Sequence, residues 1–527
     1  MNTKTKISQL LIGIIIIINF QVKAVAELNQ VNVEELSIAE MQRLMTAGTV
    51  TSLQLVEIYL QRIEKIDGKL NSILELNPDV IAIAKKMDKE RASGKVRSEM
   101  HGIPFVIKDN IETADKMKTT AGSLALLNAP QPKQDAFIIK QLRESGAVLL
   151  GKTNLSEWAN FRSEHSSSGW SGRGGQTHNP YILDRSPCGS SAGSGVAVSA
   201  NLIAVAIGTE TDGSIICPSS INGIVGIKPT LGLLSRSGII PLAHSQDTAG
   251  PMARTVTDAV IMLQAMVGED NNDRINISKG EPINFSIDYT KYLVKDGLKG
   301  ARIGVARNYF SKNEKLDKLM NANLKLLEQQ GAILFDVTFA ELDNFGDAEY
   351  EVLLYEFKHD LNNYLKSRGA KHDTLAKLIE FNQTNADKEM HYFNQDIFEQ
   401  AQAKGSLTDE AYKKALEKSK NLTQEKSIDW AMDKYKLDAI VAPSNTPAWM
   451  IDLIYGDNLG NDVSSESLAA VAGYPNITVP SGFINKMPIG MSFFGRAYSE
   501  PMLIKIAYGW EQASKARRKP KLLETYK

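Results

Sequence analysis

The run CGSSAGSGVAVSANLIAVAIGTETDGSIICPSSINGIVGIKPT, Cys188 to Thr230, decides how the rest of the chain is read. Two stretches rich in glycine and serine flank one apolar segment, Leu202 to Ile207, which has the length and composition of a buried strand. Small residues let a backbone take angles closed to bulkier ones and approach a ligand closely. Each stretch can therefore present amide N–H groups and a hydroxyl to the same point, as a catalytic centre requires. A flexible Gly-Ser linker would not be followed by a buried strand and a second glycine turn within about fifteen residues. A phosphate cradle is disfavoured too, because neither G-x-x-x-x-G-K-[ST] nor G-x-G-x-x-G occurs here.

Gly189-Ser190-Ser191-Ala192-Gly193 also fits the G-x-S-x-G elbow of α/β-hydrolases, which needs an apolar strand just before it and an Asp and a His after it. The preceding Asp184-Arg185-Ser186-Pro187 is no buried strand. Of the later histidines, His244, His359, His372 and His391, the last three sit among polar or charged neighbours, as solvated helix residues would. A histidine-dependent hydrolase using Ser191 therefore stands only as an alternative.

With GSSAGSG, GTETDGSI and GIVGIKPT, and GIPFVIKDN upstream at Gly102 to Asn110, the chain resembles the amidase signature family. The Thr-Asp-Gly-Ser form and SQDTAGPMAR, Ser245 to Arg254, resemble its peptide amidase branch, and the likeness runs from about residue 33 to 515. The resemblance implies an α/β amidase signature fold with a central mixed β-sheet covered by helices on both faces. It implies catalytic roles for Lys108, Ser190 and Ser214: Ser214 attacks, Ser190 relays the proton across a cis peptide bond to Gly189, and Lys108 is the base. The backbone N–H groups of Thr211, Asp212, Gly213 and Ser214 would form an oxyanion hole, with Ser191 in a supporting hydrogen bond. Read alone, a lysine closing the apolar segment Ile103 to Ile107 would turn outward to solvent. The resemblance buries it instead, where it can lose its charge and act as a base. No metal or cofactor is expected.

Two departures stand out. Asp212 replaces a glycine and Ile216 an arginine found in many family members, which weakens any inference from the A subunit of tRNA-dependent amidotransferases. Asp212 would either repel acidic substrates or hold its loop.

A chain of 527 residues, 43% hydrophobic and 23% charged, with net charge −1, implies no charge-driven partner such as nucleic acid. Lys4 and Lys6, the apolar run Leu10 to Phe20 and Ala24-Val25-Ala26 read as a signal peptide over residues 1–26, leaving an amidase domain at 27–527. The run is too short to span a membrane, and no cysteine follows it, so export to a periplasm or beyond without a stable membrane anchor is expected. In an oxidising compartment Cys188 and Cys217 could pair, but the favoured expectation is two unpaired thiols filling apolar space.

Elsewhere the pattern alternates. Thr51-Ser52-Leu53-Gln54 is a capping box for a helix with Leu53, Val56, Leu60 and Ile63 on one stripe. Strand-like and helix-like segments then alternate: Val148 to Leu150, Val256 to Met266, Arg302 to Val305, Leu316 to Gln329 and Ile333 to Phe335. Residues 345–433 read as a helical cap or insertion shaping the substrate pocket. Strands resume at Ala439 to Val441, Ile477 to Val479 and Gly490 to Phe494, so one sheet must join both ends of the chain in a single domain. The expected function is hydrolysis of a primary carboxamide, foremost a peptide C-terminal amide, to acid and ammonia. Aryl or fatty acid amides are alternative substrates, and an amide-binding protein without catalysis is an alternative of another class.

Overall fold

The computed structural model describes residues 31–276, 283–342, 344–458 and 463–526, so the expected signal peptide at 1–26 lies outside the described residues. Eleven strands form one mixed sheet: Ile73–Leu76 (β1), Pro104–Lys108 (β2), Val148–Thr153 (β3), Val205–Glu210 (β6), Val225–Lys228 (β7), Thr248–Ala253 (β8), Arg302–Ala306 (β9), Ile333–Val337 (β10), Ala439–Pro443 (β11), Asn476–Ile484 (β12) and Met487–Phe494 (β13). Trp170–Ser171 (β4) and Gly175–Gln176 (β5) make a separate ribbon. Across the large sheet the order is β1-β3-β2-β6-β8-β7-β12-β13-β11-β9-β10. Strands β3, β2 and β6 run parallel, as do β11, β9 and β10, and the middle is antiparallel. A sheet that joins residues 73 to 494 cannot be cut into independent pieces, and helices flank it, so the expected α/β single-domain architecture holds.

The parallel strands are buried at every position of β2, β3 and β6, which is why their sequences are continuous apolar runs without alternation. The register pairs Phe105 with Val205, Val106 with Ala206 and Ile107 with Ile207. Lys108, the last residue of β2, thereby arrives beside the glycine and threonine that follow Ile207.

Three local expectations are corrected. The strand predicted at Leu202 to Ile207 begins at Val205 and runs on to Glu210. The reason is the turn that precedes it: Asn201 is left-handed (φ 59°), and Leu202 N still donates to Ala197 O at 2.9 Å. The second half of the first Gly-Ser stretch is a wholly buried helix, Ala192–Ser199 (α1), rather than a loop. In the helix Ser52–Ile66 the capping box forms as predicted, but Leu55 and Tyr59 join Val56 and Ile63 in the core while Leu53 and Leu60 are half-buried, so the core face is turned from the predicted stripe.

A short helix, Ile216–Ile221 (α2), follows β6 and its turn; Pro218 sits in its first turn, where a missing N–H costs nothing. The region expected as a helical cap holds Gly346–Arg368 (α3), Leu375–Thr384, Asp396–Ala403, Glu410–Thr423 (α4) and Asp429–Tyr435. Its Leu354, Phe357, Leu361 and Phe398 share one apolar cluster with Trp158, Phe161, Ile240 and Leu242 of the body. Among the described residues no helix is long and apolar enough to cross a membrane.

Cys188 and Cys217 form a disulfide, Cα to Cα 6.0 Å, which overturns the expectation of unpaired thiols. Treating each thiol as a separate filler ignored the convergence of their segments: both sit in one apolar cluster with Ile221, Ala448 and Trp449. The bond closes a sequence separation of 29 residues. Replacing both cysteines by serine should lower the free energy of unfolding by about 3 to 4 kcal/mol in the chain-entropy account, measured by urea denaturation without reductant. A loss below about 1 kcal/mol would show that the bond contributes little to the fold.

Candidate active site

Lys108 is wholly buried (0% exposed), Ser190 nearly so (1%), and Ser214 slightly open (7%). Lys108 Nζ lies 2.7 Å from Ser190 Oγ, 3.1 Å from Thr209 O and 2.9 Å from Thr209 Oγ1. Asn110 Nδ2 donates to the same Thr209 hydroxyl at 2.9 Å, holding it in place. Three acceptors for three N–H bonds satisfy the charged amine. In the neutral amine one contact reverses, and the Ser190 hydroxyl can donate to Nζ. Burial pulls the Lys108 pKa down to about 7, against the opposing pull of the Asp247 and Glu210 carboxylates.

The peptide bond between Gly189 and Ser190 is cis, as the family resemblance implied. Ser190 O accepts from Ser156 N at 3.0 Å, and a Cβ at Gly189 would fall 2.1 Å from Ser156 Oγ, so only glycine fits there. Ser191 N donates to Ser214 O at 3.2 Å, which joins the two serine segments directly. Ser191 Oγ donates to Thr209 O at 3.1 Å and accepts from Thr209 N at 3.2 Å. That side chain is committed to β6 and buried, a poor position for an attacking hydroxyl.

Residues 211–214 turn from β6 into α2. Glu210 Oε2 accepts from Ile215 N at 2.7 Å and Ile216 N at 2.9 Å, and Thr211 Oγ1 donates to Asp247 Oδ1 at 2.6 Å. Gly213 is left-handed (φ 73°), and a Cβ there would press to 2.7 Å from Glu466 Cγ. Among the described residues no acceptor takes the amides of Asp212, Gly213 or Ser214. Three free N–H groups next to a serine hydroxyl suit a developing oxyanion. Ser214 opens on a cavity of about 210 Å³ walled by Gly189, Asn160, Asn445, Trp449, Asp457 and Glu466. A second cavity of about 270 Å³ lies across the strand end, against Asn110, Thr209, Thr211, Trp158 and Phe357.

The structure thus brings Lys108 to Ser190, and the backbone of Ser191 to that of Ser214. It takes the histidine alternative apart: His244 Nδ1 lies 2.8 Å from Asp360 Oδ2 and Nε2 lies 3.4 Å from Glu356 Oε1, so its partners are acids of α3. Sequence reasoning missed Thr209, Asn110, Glu210, Ser156 and Asp247. Thr209 and Glu210 lay inside the quoted motif, one and two residues after Gly208, and Asn110 stood two residues after Lys108. The strand register that sets them around the amine was the missing information.

A buried amine aimed at a serine hydroxyl, beside a second serine with free amides, is equipment for cleaving an amide by a hydroxyl nucleophile. The amidase family profile matches residues 54–504, and the chain belongs to this family of amide-hydrolysing enzymes, the amidase signature enzymes. It is similar to native peptide amidase from Stenotrophomonas maltophilia, with 47% identity, a TM-score of 0.89 and coverage of 93% of this chain and 99% of that one. A peptide amidase in complex with the competitive inhibitor chymostatin aligns with 47% identity, a TM-score of 0.90 and the same coverage, 93% and 99%. A "Probable amidase" of Arabidopsis thaliana is 40% identical over 502 residues, 93% of this chain and 92% of its own length.

The position of Lys108 sets a pH dependence. A base works only when neutral, so kcat/KM should rise with pH through a midpoint of about 7. Lys108→Arg, which keeps a charge and cannot lose it, should cost about 10²- to 10⁴-fold. A flat profile across that midpoint, or an active Lys108→Arg, would refute the role.

Proposed function

We propose that the chain hydrolyses primary carboxamides, with peptide C-terminal amides as its substrates, to the acid and ammonia through an acyl-enzyme on Ser214. The observation that carries the mechanism is the 2.7 Å contact between Lys108 Nζ and Ser190 Oγ inside the sheet. As Ser214 Oγ attacks the amide carbon, its proton passes to Ser190 Oγ and the Ser190 proton passes to neutral Lys108 Nζ. The carbonyl oxygen becomes an oxyanion, stabilised by the amides of residues 211–214. Collapse breaks the C–N bond while the relay returns the proton to the departing nitrogen, which leaves as ammonia. Water then attacks the ester by the same route, and the acid departs as Ser214 recovers its proton.

Peptide specificity is supported by the likeness to the two peptide amidase structures over nearly their whole length. The cavity at Ser214 adds polar groups fit for a peptide backbone, among them Asn445 and Asp457, the latter held by Ser168 N at 3.0 Å and Trp449 Nε1 at 3.0 Å. Export is part of the same reading. Its support is the N-terminal pattern at residues 1–26 together with the Cys188–Cys217 disulfide, since such bonds persist in oxidising compartments.

Ammonia release from a panel of peptide, aryl and long-chain acyl amides should show peptide amides favoured in kcat/KM by at least about tenfold, about 1.4 kcal/mol. A serine-directed phosphonate should label the native protein and not Ser214→Ala. Peptide amides at background while the others turn over would overturn the substrate assignment. Absence of labelling together with absence of ammonia release would overturn the enzyme mechanism in favour of a binding protein.

A further inference from the structure

The turn at residues 211–214 is held from beneath by Glu210 and Asp247, but its outer side is held by the helical region. Gln246 Nε2 donates to Thr211 O at 3.2 Å and to Glu349 Oε1 of α3 at 2.9 Å. The side chains of Glu349 and Asp212 are hydrogen-bonded to each other. Two carboxylates have only acceptors, so such a bond exists only when one of them carries a proton. Asp212 Oδ1 is sealed from solvent and without a hydrogen-bond partner among the described residues, so a proton brought there would be taken up. Ser467 supplies a further hydrogen bond to Asp212.

We propose that Glu349 is a positioning residue for amide hydrolysis, holding the turn that receives the oxyanion through one proton shared with Asp212. This rests on the reading of Ser214 and its neighbouring amides given above. It also assigns a role to Asp212, which departs from the glycine common in the family: an aspartate lets a helix of the cap clamp the turn.

Burial pushes both carboxyls upward, Glu349 well above its ordinary range with the Asp212 charge adding to the effect, while the contacts with Ser467 and Glu349 partly offset the rise at Asp212. Of the charged groups around the pair, Lys420 of α4 faces Glu349, Lys228 of β7 and Glu210 of β6 face Asp212, Glu356 on α3 itself faces Lys420, and Glu466 lies against Gly213. Lys420 and Lys228 favour ionisation of the pair; the acids oppose it. Loss of the shared proton as pH rises through the raised pKa of the pair places two carboxylates in contact, and the clamp opens.

Steady-state kinetics on three variants test this. Glu349→Leu removes the donor and should lower kcat at least about tenfold with KM within about twofold of wild type. The Ki of a peptide aldehyde, which forms a tetrahedral adduct in the same oxyanion site, should rise in parallel. Glu349→Gln, an uncharged donor to Asp212, should recover most of the loss and abolish the fall in kcat that ionisation of the pair causes as pH rises; Asp212→Asn should abolish that fall as well. Thermal unfolding and phosphonate labelling establish that each variant is folded, and if Glu349→Leu does not fold the other two decide. Wild-type kcat in Glu349→Leu, equal damage in Glu349→Gln and Glu349→Leu, or a falling limb of the kcat–pH profile unmoved in Glu349→Gln and Asp212→Asn would overturn the proposal. Turnover by Ser214→Ala would instead bring down the underlying mechanism, whereas an inactive Ser214→Ala beside an unimpaired Glu349→Leu would sink the clamp alone.

Discussion

Everything at the centre depends on keeping an amine out of water without abandoning it. Lys108 closes β2 in the interior of a sheet covered on both faces, where an unpartnered ammonium would be prohibitively costly. The parallel register with β6 solves this by bringing Thr209 beside it, so a carbonyl and a hydroxyl meet two N–H bonds and leave the third direction for Ser190. Burial alone would drive the amine far toward neutrality. Asp247 and Glu210 pull the other way, and the balance falls at about 7, where a base is both available and strong enough to take a proton.

Burial of lysine is not by itself diagnostic in this fold. Lys152 and Lys228 are also buried and Lys420 is half-buried, and all three are pulled down to about 8. Lys152 donates to Ile111 O and to Thr119 Oγ1, Lys228 to Pro229 O and Tyr474 O, and Lys420 to Ser245 O and Val471 O. Lys228 and Lys420 meet only backbone carbonyls, which only accept, and Lys152 meets a carbonyl and the Thr119 hydroxyl, so these amines serve as pins between chain segments. Lys108 differs in where its hydroxyl partner sits: Ser190 precedes Ser191, whose N–H is bonded to Ser214 O beside the open cavity.

The sequence showed the sheet well where strands are buried on both faces, because β2, β3, β9, β11 and β13 are apolar runs bounded by turn residues. It hid β8, whose Thr248–Ala253 contains Gly250 and Pro251 and has no strand signature. It also could not separate loop from helix in GSSAGSG, since glycine and serine are poor helix formers and α1 is held by burial rather than propensity. The identities of Lys108, Ser190 and Ser214 came from motif resemblance, and no periodicity would have supplied them. Thr209, Asp247 and Glu349 were beyond reach because each acts across chain separations that only the register of β6 and the docking of α3 define.

The segment between the two cavities shows how far the fold goes to fix this geometry. Trp158, Ala159 and Asn160 take left-handed angles in succession, φ 49°, 57° and 68°, a conformation costing about 1 to 2 kcal/mol per residue outside glycine. Trp158 N donates to Ala121 O at 2.9 Å, Phe161 N donates to Trp158 O at 3.0 Å, and the indole packs edge-on to Phe398 of the cap. Two residues earlier Ser156 N holds the carbonyl of Ser190. The coil of the turn therefore reaches the relay serine through rigid backbone, and Ala159, with only a methyl group, lies in the wall of both cavities. A bulkier residue there would narrow the space at Ser214 and the space behind Thr209 together. Strain held by neighbours at a site of this kind is a form of preorganisation, since under the proposed mechanism the serines and Lys108 would need no rearrangement as charge develops.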